Sequence, residues 1–508
     1  MNQPLPPHSA PSATRRRHFL RTAVAGTVLL SPALTRSAAA DLGGAFSRVV
    51  ARQMKVDAGA QVVAEPARRT PVAAEVDVLV VGGGPTGVGA ALAAASEGAK
   101  TLLLERNAML SGMWTAGLLN PFFDPRKGWL VDRLIEKLQQ QGAWVRKGMD
   151  VFDVEMMKFV LERLMAEAGV EYWYNCPFTE PILQGERVRG VIVESKSGRE
   201  ALLAQVVIDC TGDGDVGARA GVPFERGRKS DGLCQPLTLM FGISGYEGFR
   251  GLPADRLTTH EFFKDLSKVI DEQRLPIQLP YGPQRSGTPF LIALPGKAVA
   301  VVQATHVYRV DATNVREMSR ATAAARRQVH EVFLPAMRRI PGLENLRLSQ
   351  TAPQIGVREA RRLEGRYRLE LDDMLQARRF GDAVTSVGFH VDLHELDPKD
   401  STPKLPPFPP GVTRHTISKR DIPHPRCLLP KTLEGLLWAG RCISGSHEAH
   451  SAYRVTGTCM AMGQAAGLAA ATAVRRKTTP SELDGAELHA LLRARGAQFL
   501  PRGLRAAT

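Results

Sequence analysis

The apolar positions fall into short blocks whose periods change along the chain. Val76 to Val81 is apolar apart from Asp77, as a strand buried on both faces should be. A glycine cluster and an Ala-rich run to Gly98 follow, reading as a helix, and Thr101 to Leu104 reads as a second buried strand ending in Glu105. Helical spacing returns at Leu130 to Leu138 and Val154 to Ala168. Strands are then predicted at Val170 to Tyr174, Arg187 to Glu194 and Ala201 to Cys210, with Ser197-Gly198 as the turn between the last two. From Pro236 the pattern changes. Pro236 to Ile243 and Ala298 to Val307 read as strands separated by the Pro- and Gly-rich Leu275 to Pro295, and Asn314 to Arg339 as a long amphipathic helix. Lys399 to Val412, rich in proline, predicts an extended loop that joins no central strand. Gly435 to Ala439 and Val455 to Val474 then return to the opening theme of buried strand and small-residue helix. The pattern predicts an α/β fold: a Rossmann-type domain, parallel sheet plus β-meander, formed by 75–228 and 426–476. An α+β substrate domain is inserted at 229–425, and 477–508 forms a C-terminal helix and tail.

Gly82, Gly84 and Gly87 form G-x-G-x-x-G between the first strand and helix. The first glycine permits a tight turn, the second lets backbone approach a pyrophosphate, and the third lets the helix pack on the strand. The helix N-terminus offers unpaired N–H groups to phosphate charge, and an acid at Glu105 suits ribose hydroxyls. A second G-x-G-x-x-G, at Gly212, Gly214 and Gly217, reads differently. Asp213 and Asp215 bring negative charge where phosphate would lie, and no long helix fits before Pro223, so this is a strand entering a Gly-rich turn at a cofactor's edge.

The chain has 508 residues and a formal charge of +15, of which Arg15, Arg16, Arg17, Arg21 and Arg36 lie in the acid-free first 40 residues. The remaining basic residues are scattered among helices without interleaved aromatics. That points to an anionic substrate or a solvated surface, and away from nucleic acid. Arg16-Arg17-His18-Phe19-Leu20-Arg21, the short apolar run Thr22 to Leu30 and Ala38-Ala39-Ala40 resemble a twin-arginine signal peptide over 1–40, with a lead-in at 41–74. The expectation is a periplasmic or secreted protein handled by the Tat machinery, without a membrane span after processing. Cys176, Cys210, Cys234, Cys427, Cys442 and Cys459 contain no C-x-x-C, so neither iron–sulfur nor zinc-ribbon spacing is present, and spacing assigns no disulfide.

Six segments together resemble the FAD-dependent oxidoreductases of the glutathione-reductase-like superfamily. They are the Gly82/Gly84/Gly87/Glu105 unit, LSGMWTAGLL (110–119), VIDCTGDGD (207–215), REARRLEGRYRLELDD (358–373), IPHPRCLLPK (422–431) and GRCISGSHEAHSAYRVTGTCMAMGQAAG (440–467). The resemblance implies FAD, with Gly82, Gly84 and Gly87 on the pyrophosphate, Glu105 on the adenosine ribose and Arg106 beside it. Gly112 would approach the flavin end, Thr211, Gly212 and Asp213 would line the cofactor edge, and Gly440 and Arg441 would meet the ribityl and phosphate. A helix starting near Arg454 and Thr458 would point at the flavin's pyrimidine ring. Ser111 stands where relatives carry glycine and Trp114 is bulky for its loop, which predicts an unusual shape over the ring. No second Rossmann unit is visible, against a pyridine-nucleotide disulfide reductase.

A flavin dehydrogenase needs a proton acceptor, and histidine titrates in the right range. His447 and His450, in SHEAH just before the cofactor-facing helix, are the first catalytic candidates, one of them a structural histidine. Arg358, Arg361 and Arg362 could bind an anionic substrate or could equally sit on a charged helix face. Tyr367 and Tyr453 could donate to substrate oxygen, packing being the commoner fate of such residues. His390, Asp392 and His394 alternate and would share a strand face, read as an exposed polar edge with no metal. The function expected is an exported FAD-dependent dehydrogenase or oxidase taking hydride from a small organic substrate, anions included, with oxygen, quinone or a periplasmic carrier as acceptor. A non-redox flavin isomerase or lyase, or a non-catalytic flavin-fold binding protein, is the alternative.

Overall fold

The computed structural model describes residues 63, 65, 67–146, 149–245, 259–274, 290–294, 299–376, 378–397, 420–423 and 426–499. The predicted signal peptide and most of the lead-in, as well as the Lys399 to Val412 loop, lie outside these residues. Thr70 to Thr508 forms one compact unit.

In chain order, β1 (Val72–Val81), α1 (Pro85–Ser96) and β2 (Thr101–Leu104) make the opening βαβ unit. A short hairpin of β3 (Trp144–Arg146) and β4 (Asp150–Phe152) lies between α2 (Leu130–Gln140) and α3 (Val154–Glu167). Asp153 caps α3 by accepting from the N–H groups of Glu155 and Met156. β5 (Glu171–Trp173), β6 (Phe178–Gln184), β7 (Arg187–Ser195) and β8 (Gly198–Asp209) complete the first pass. β5, β2, β1 and β8 pair in parallel, while β6, β7 and β8 form an antiparallel meander. β6 was not predicted from the pattern. Its residues are half-buried on both faces, so the two-residue alternation that would reveal it is absent.

After α4 (Asp215–Arg219) and β9 (Phe224–Arg226) come β10 (Phe241–Ser244), α5 (Thr259–Glu272), β11 (Phe290–Ala293) and β12 (Val299–Gln303). With β13 (Arg347–Thr351) they form an antiparallel sheet ordered β11-β12-β10-β13, over a core of its own that includes Phe241, Leu266, Leu291 and Phe333. The predicted long helix is α6 (Val315–Arg327), a π-helical stretch at Gln328–Phe333, and α7 (Leu334–Met337). Pro335 has no N–H to give residue 331 and its ring crowds that carbonyl, which accounts for the widened turn. The charged 358–373 stretch is not a helix face. It holds β14 (Arg361–Leu363), paired with β9, and only then α8 (Leu371–Leu375), because Glu359, Arg362 and Leu363 are buried.

β15 (Ala383–Val387) pairs with β16 (Arg420–Pro423), and β17 (Leu436–Trp438) returns to the parallel sheet beside the C-terminal end of β8. α9 (His447–Tyr453), α10 (Thr456–Arg476) and α11 (Gly485–Ala494) finish the chain. α10 lies against α1 almost backbone to backbone. A Cβ on Gly89 would come 2.3 Å from Met460 O, on Gly463 2.0 Å from Thr86 O, and on Gly467 2.1 Å from Ala90 O. The small residues of both helices are therefore a packing requirement. All six cysteines are buried free thiols. No described helix is long and apolar enough to cross a membrane.

Candidate cofactor and active site

A cavity of ≈ 1090 Å³ opens at the carboxyl ends of β1, β2 and β8, the place where open α/β sheets bind ligands. At one end its wall is backbone. Gly82 has φ +102 and a Cβ there would stand 2.5 Å from Cys210 O, so the turn admits only glycine. A Cβ on Gly87 would come 1.8 Å from Gly82 O, which ties α1 to the turn. Gly84 differs from both: no described atom lies within 4 Å of its Cβ position, which opens into the cavity. α1 begins there without a side-chain cap, leaving its first N–H groups toward the void.

Glu105 closes this end. Its Oε2 accepts from Gly83 N (2.9 Å) and its Oε1 from Asn107 N (2.8 Å) and Nδ2 (2.9 Å). Burial raises its carboxyl pKa, and those donors pull it back. Asn107 Nδ2 also donates to Gln354 Oε1 (3.1 Å), linking the acid to the segment that follows β13. Thr211, Gly212 and Asp213 line the next wall. They are held by the fully buried Asp209, whose Oδ1 accepts from Thr211 N (3.0 Å) and whose Oδ2 accepts from Val216 N (2.9 Å) and Gly217 N (3.0 Å). Gly212 makes room for Arg441, whose Nη1 lies 2.1 Å from where a Cβ would be and whose Nη2 donates to Asp213 Oδ1 (2.6 Å). Asp215 pairs with Arg361, and burial followed by Asp213 and Asp209 pushes its carboxyl up to about 6.

This end fits a dinucleotide. Gly84 is a cradle that any side chain would fill, and the volume is at the top of the range for small-molecule sites. Gly82, Gly84, Glu105, Arg106, Gly112, Thr211, Gly212, Asp213, Arg441 and Arg454 all line the cavity. Three expected contacts do not. Gly87 and Gly440 are packing glycines, the latter because a Cβ would meet Thr86 Oγ1 at 2.5 Å. Thr458 is buried behind the wall, donating to Asp124 Oδ2 (2.6 Å). α10 nonetheless directs its N-terminus into the cavity through Val455 and Thr456. Ser111 takes the left-handed conformation glycine prefers (φ 76), and Trp114 turns into the core against Phe122, ring centroids 4.4 Å apart. Neither lines the cavity, so the unusual shape expected over the ring is not produced by them.

At the other end the wall is made of charged side chains. Arg358, His390, Asp392, His394 and Arg454 all line it. Arg358 Nη1 donates to Pro236 O (2.7 Å) and Thr238 Oγ1 (2.7 Å), and its Nε donates to His394 Nε2 (3.1 Å). Asp392 Oδ2 accepts from Arg454 Nη2 (3.0 Å) and lies 3.3 Å from the same His394 nitrogen. The two neighbours make opposite demands on that ring. Arg358 needs a neutral acceptor and Asp392 favours the cation. Burial and Arg358 prevail, bringing His394 down to about 4. Against burial, His394, Arg454 and His390 hold the Asp392 carboxyl far below the usual range. Burial, and then Arg454, push Arg358 down to about 9. The alternation of His390, Asp392 and His394 predicts an exposed polar edge, whereas the structure places all three on the cavity wall. The alternation was visible, but nothing in the sequence indicated that Arg358 and Arg454 would close over it. Among the described residues they do not assemble a metal site.

The leading catalytic candidates lie elsewhere. His447 is buried with Nδ1 2.8 Å from Glu359 Oε1, and His450 is buried beneath it; neither lines the cavity. Burial and Arg362 drive His450 far below its ordinary value. Arg362 is sealed among Glu359, Gly445 O (2.9 Å) and Gly227 O (2.9 Å), while Arg361 donates to Asp213 O (2.8 Å). Tyr367 donates to Asp373 Oδ2 (2.7 Å) and Tyr453 to Ile443 O (3.1 Å), both outside the cavity. SHEAH misled because position beside a cofactor-facing helix says nothing of which way a side chain points. Gln354 and Thr238 carried no signal.

A family model described as FAD dependent oxidoreductase matches residues 77–492. Digeranylgeranylglycerophospholipid reductase 1 of Methanopyrus kandleri is 31% identical over 165 residues, 29% of this chain and 43% of that protein. Thiamine thiazole synthase of Methanococcus vannielii is 29% identical over 153 residues, 27% of this chain and 56% of that protein. The chain thus spans about half the length of these curated relatives. Among solved structures, a geranylgeranyl bacteriochlorophyll reductase-like protein of Thermoplasma acidophilum aligns at TM-score 0.41 and 16% identity, covering 83% of this chain and 84% of that one. The flavin-dependent brominase Bmp2 aligns at TM-score 0.44 and 14% identity, covering 83% of each chain. With the family match running from β1 to α11 and the glycine turn, the acid at Glu105 and the cavity in place, the chain belongs to the FAD-dependent oxidoreductase family.

Proposed function

We propose that this FAD enzyme is an exported dehydrogenase or oxidase acting on a small organic substrate, with electrons leaving to oxygen, quinone or a periplasmic carrier. The observation that carries the reading is the two-ended cavity: a backbone-walled end suited to the nucleotide runs into a charged end suited to substrate. Export rests on the Arg16-Arg17-His18-Phe19-Leu20-Arg21 segment and the small residues at Ala38-Ala39-Ala40.

Bound FAD supplies a two-electron acceptor. The protein's own part is to orient substrate and hold a proton. His394 is neutral around pH 7 and lines the cavity, so it is the candidate proton acceptor in place of His447 and His450. Arg358 and Arg454 orient the substrate, and the apolar wall of Met113, Met240 and Ile292 excludes water.

Purified mature protein should carry flavin absorbance, and anaerobic addition of substrate from a screen of small organic compounds should bleach it. Turnover without bleaching or added acceptor would instead support an isomerase or lyase. Gly84→Val should fold as wild type, since its Cβ enters open space, yet retain at least about tenfold less flavin; full flavin content in this variant would sink the cradle assignment.

A further inference from the structure

The charged end of the cavity is left unfinished. Two guanidiniums, Arg358 and Arg454, stand against one carboxylate, Asp392, and that carboxylate is engaged by Arg454 at 3.0 Å with His394 at 3.3 Å from the same oxygen. Arg358 spends Nε and Nη1 on His394, Pro236 and Thr238, and its Nη2 has no partner among the described residues. Arg454 spends Nη2 on Asp392 and on Gln235 Oε1 (3.4 Å), and its buried Nε has no partner. Of the other arginines on the cavity wall, Arg361 pairs with Asp215, Arg441 with Asp213 and Arg219 with Glu180, while Arg106 stands beside Glu105 at the backbone-walled end. Guanidinium donors on a half-buried cavity wall that lack an acceptor are a standing cost, which an incoming anion removes. The wall around them is apolar, with Met240, Phe290, Ile292 and Phe389 on the same cavity.

We infer that the substrate is an amphipathic carboxylate, its anionic head held between Arg358 and Arg454 and its apolar body lying along Met240, Phe290, Ile292 and Phe389. This rests on the reading of this end as the substrate site. Planar guanidinium donors match the two oxygens of a carboxylate, and the apolar wall disfavours a small, fully hydrated anion. The extra anion would also offset the positive field on His394, so binding would raise that ring's proton affinity, as a proton acceptor requires.

The test uses the flavin-loaded protein and benzoate as probe, with neutral benzamide and inorganic phosphate as controls, followed by calorimetric titration. Benzoate should bind and benzamide should bind at least about tenfold more weakly. Arg358→Met and Arg454→Met should each weaken benzoate by about 10- to 100-fold, with Arg358→Lys recovering part of the loss. Flavin content and the circular dichroism spectrum report folding, and the lysine variant keeps the test alive if a methionine variant fails to fold. Equal binding of benzoate and benzamide, phosphate binding more tightly than benzoate, or unchanged benzoate affinity in a flavin-loaded Arg358→Met would each overturn the inference. Failure of benzoate to bind with flavin in place would remove the clamp and leave the oxidoreductase reading intact. Benzoate binding without flavin bleaching by any carboxylic acid of the same class would remove the oxidation reading and leave the clamp.

Discussion

Two clusters, each of a carboxylate, an arginine and a histidine, lie back to back in this molecule. One is Glu359, Arg362 and His447; the other is Asp392, Arg358 and His394, joined by Arg454. Arg358 and Glu359 are chain neighbours yet belong to different clusters, and Gln235 touches both. Its backbone N–H donates to Glu359 Oε2 (3.1 Å), while its side-chain oxygen accepts from His394 N (3.2 Å) and Arg454. In the first cluster Arg362 is answered on every side, by Glu359, Gly445 O and Gly227 O, with Glu225 3.5 Å away. In the second, which lines a cavity, Arg358 Nη2 and Arg454 Nε have no acceptor among the described residues. Residue type therefore does not separate structure from chemistry here. What separates them is whether the list of partners closes within the protein.

The contrast can be broken most forcefully at the closed cluster. Glu359→Gln leaves Arg362 buried without its counter-charge and should cost about 3 to 5 kcal/mol in urea unfolding, whereas Asp392→Asn, facing the cavity, should cost well under half of that. Comparable losses at the two sites would erase the distinction. In turnover the order should reverse. His394→Gln should lower kcat by about 100-fold, and His447→Gln, if folded, by less than tenfold.

A smaller effect follows from pH. His394 titrates near 4 in the folded protein against an ordinary 6.5, so above pH 6.5 neither state holds the proton and it contributes nothing. As pH falls through that window the unfolded chain takes up a proton the folded one refuses, and stability drops, levelling off below 4. Wild type should lose about 2 kcal/mol more than His394→Gln between pH 7 and 4.5, read from urea midpoints. Equal acid sensitivity would place His394 in contact with water. Last, Gln235→Met removes the side-chain link to the open cluster and keeps the backbone link to the closed one. A loss of about 1 kcal/mol with a shifted KM is expected, and an unchanged KM would show the bridge to be idle.

The nucleotide end was legible in the sequence and the substrate end was not, for a physical reason. Gly82, Gly84 and Glu105 act through local backbone geometry, so their spacing carries their role. Even there, spacing could not say that Gly87 and Gly440 pack against other residues and never reach the void. The charged end is assembled from β-bridge, loop and helix segments around positions 235, 358, 392 and 454, with no local period in common. The 358–373 stretch could be read as a helix face because charge density alone does not reveal that Glu359 is fully buried.

The close seating of α1 on α10 has a consequence in time as well as in space. The helix that follows the nucleotide-binding turn is pressed, through Gly89, Gly463 and Gly467, against α10, which is made long after it. Contacts between such distant parts of a chain form late and slowly. A growing chain can thus complete its first βαβ unit and its inserted sheet long before anything clamps the turn that grips the cofactor. FAD retention is then expected to wait for α10, and a chain truncated ahead of Thr456 would be expected to fold in parts yet hold no flavin.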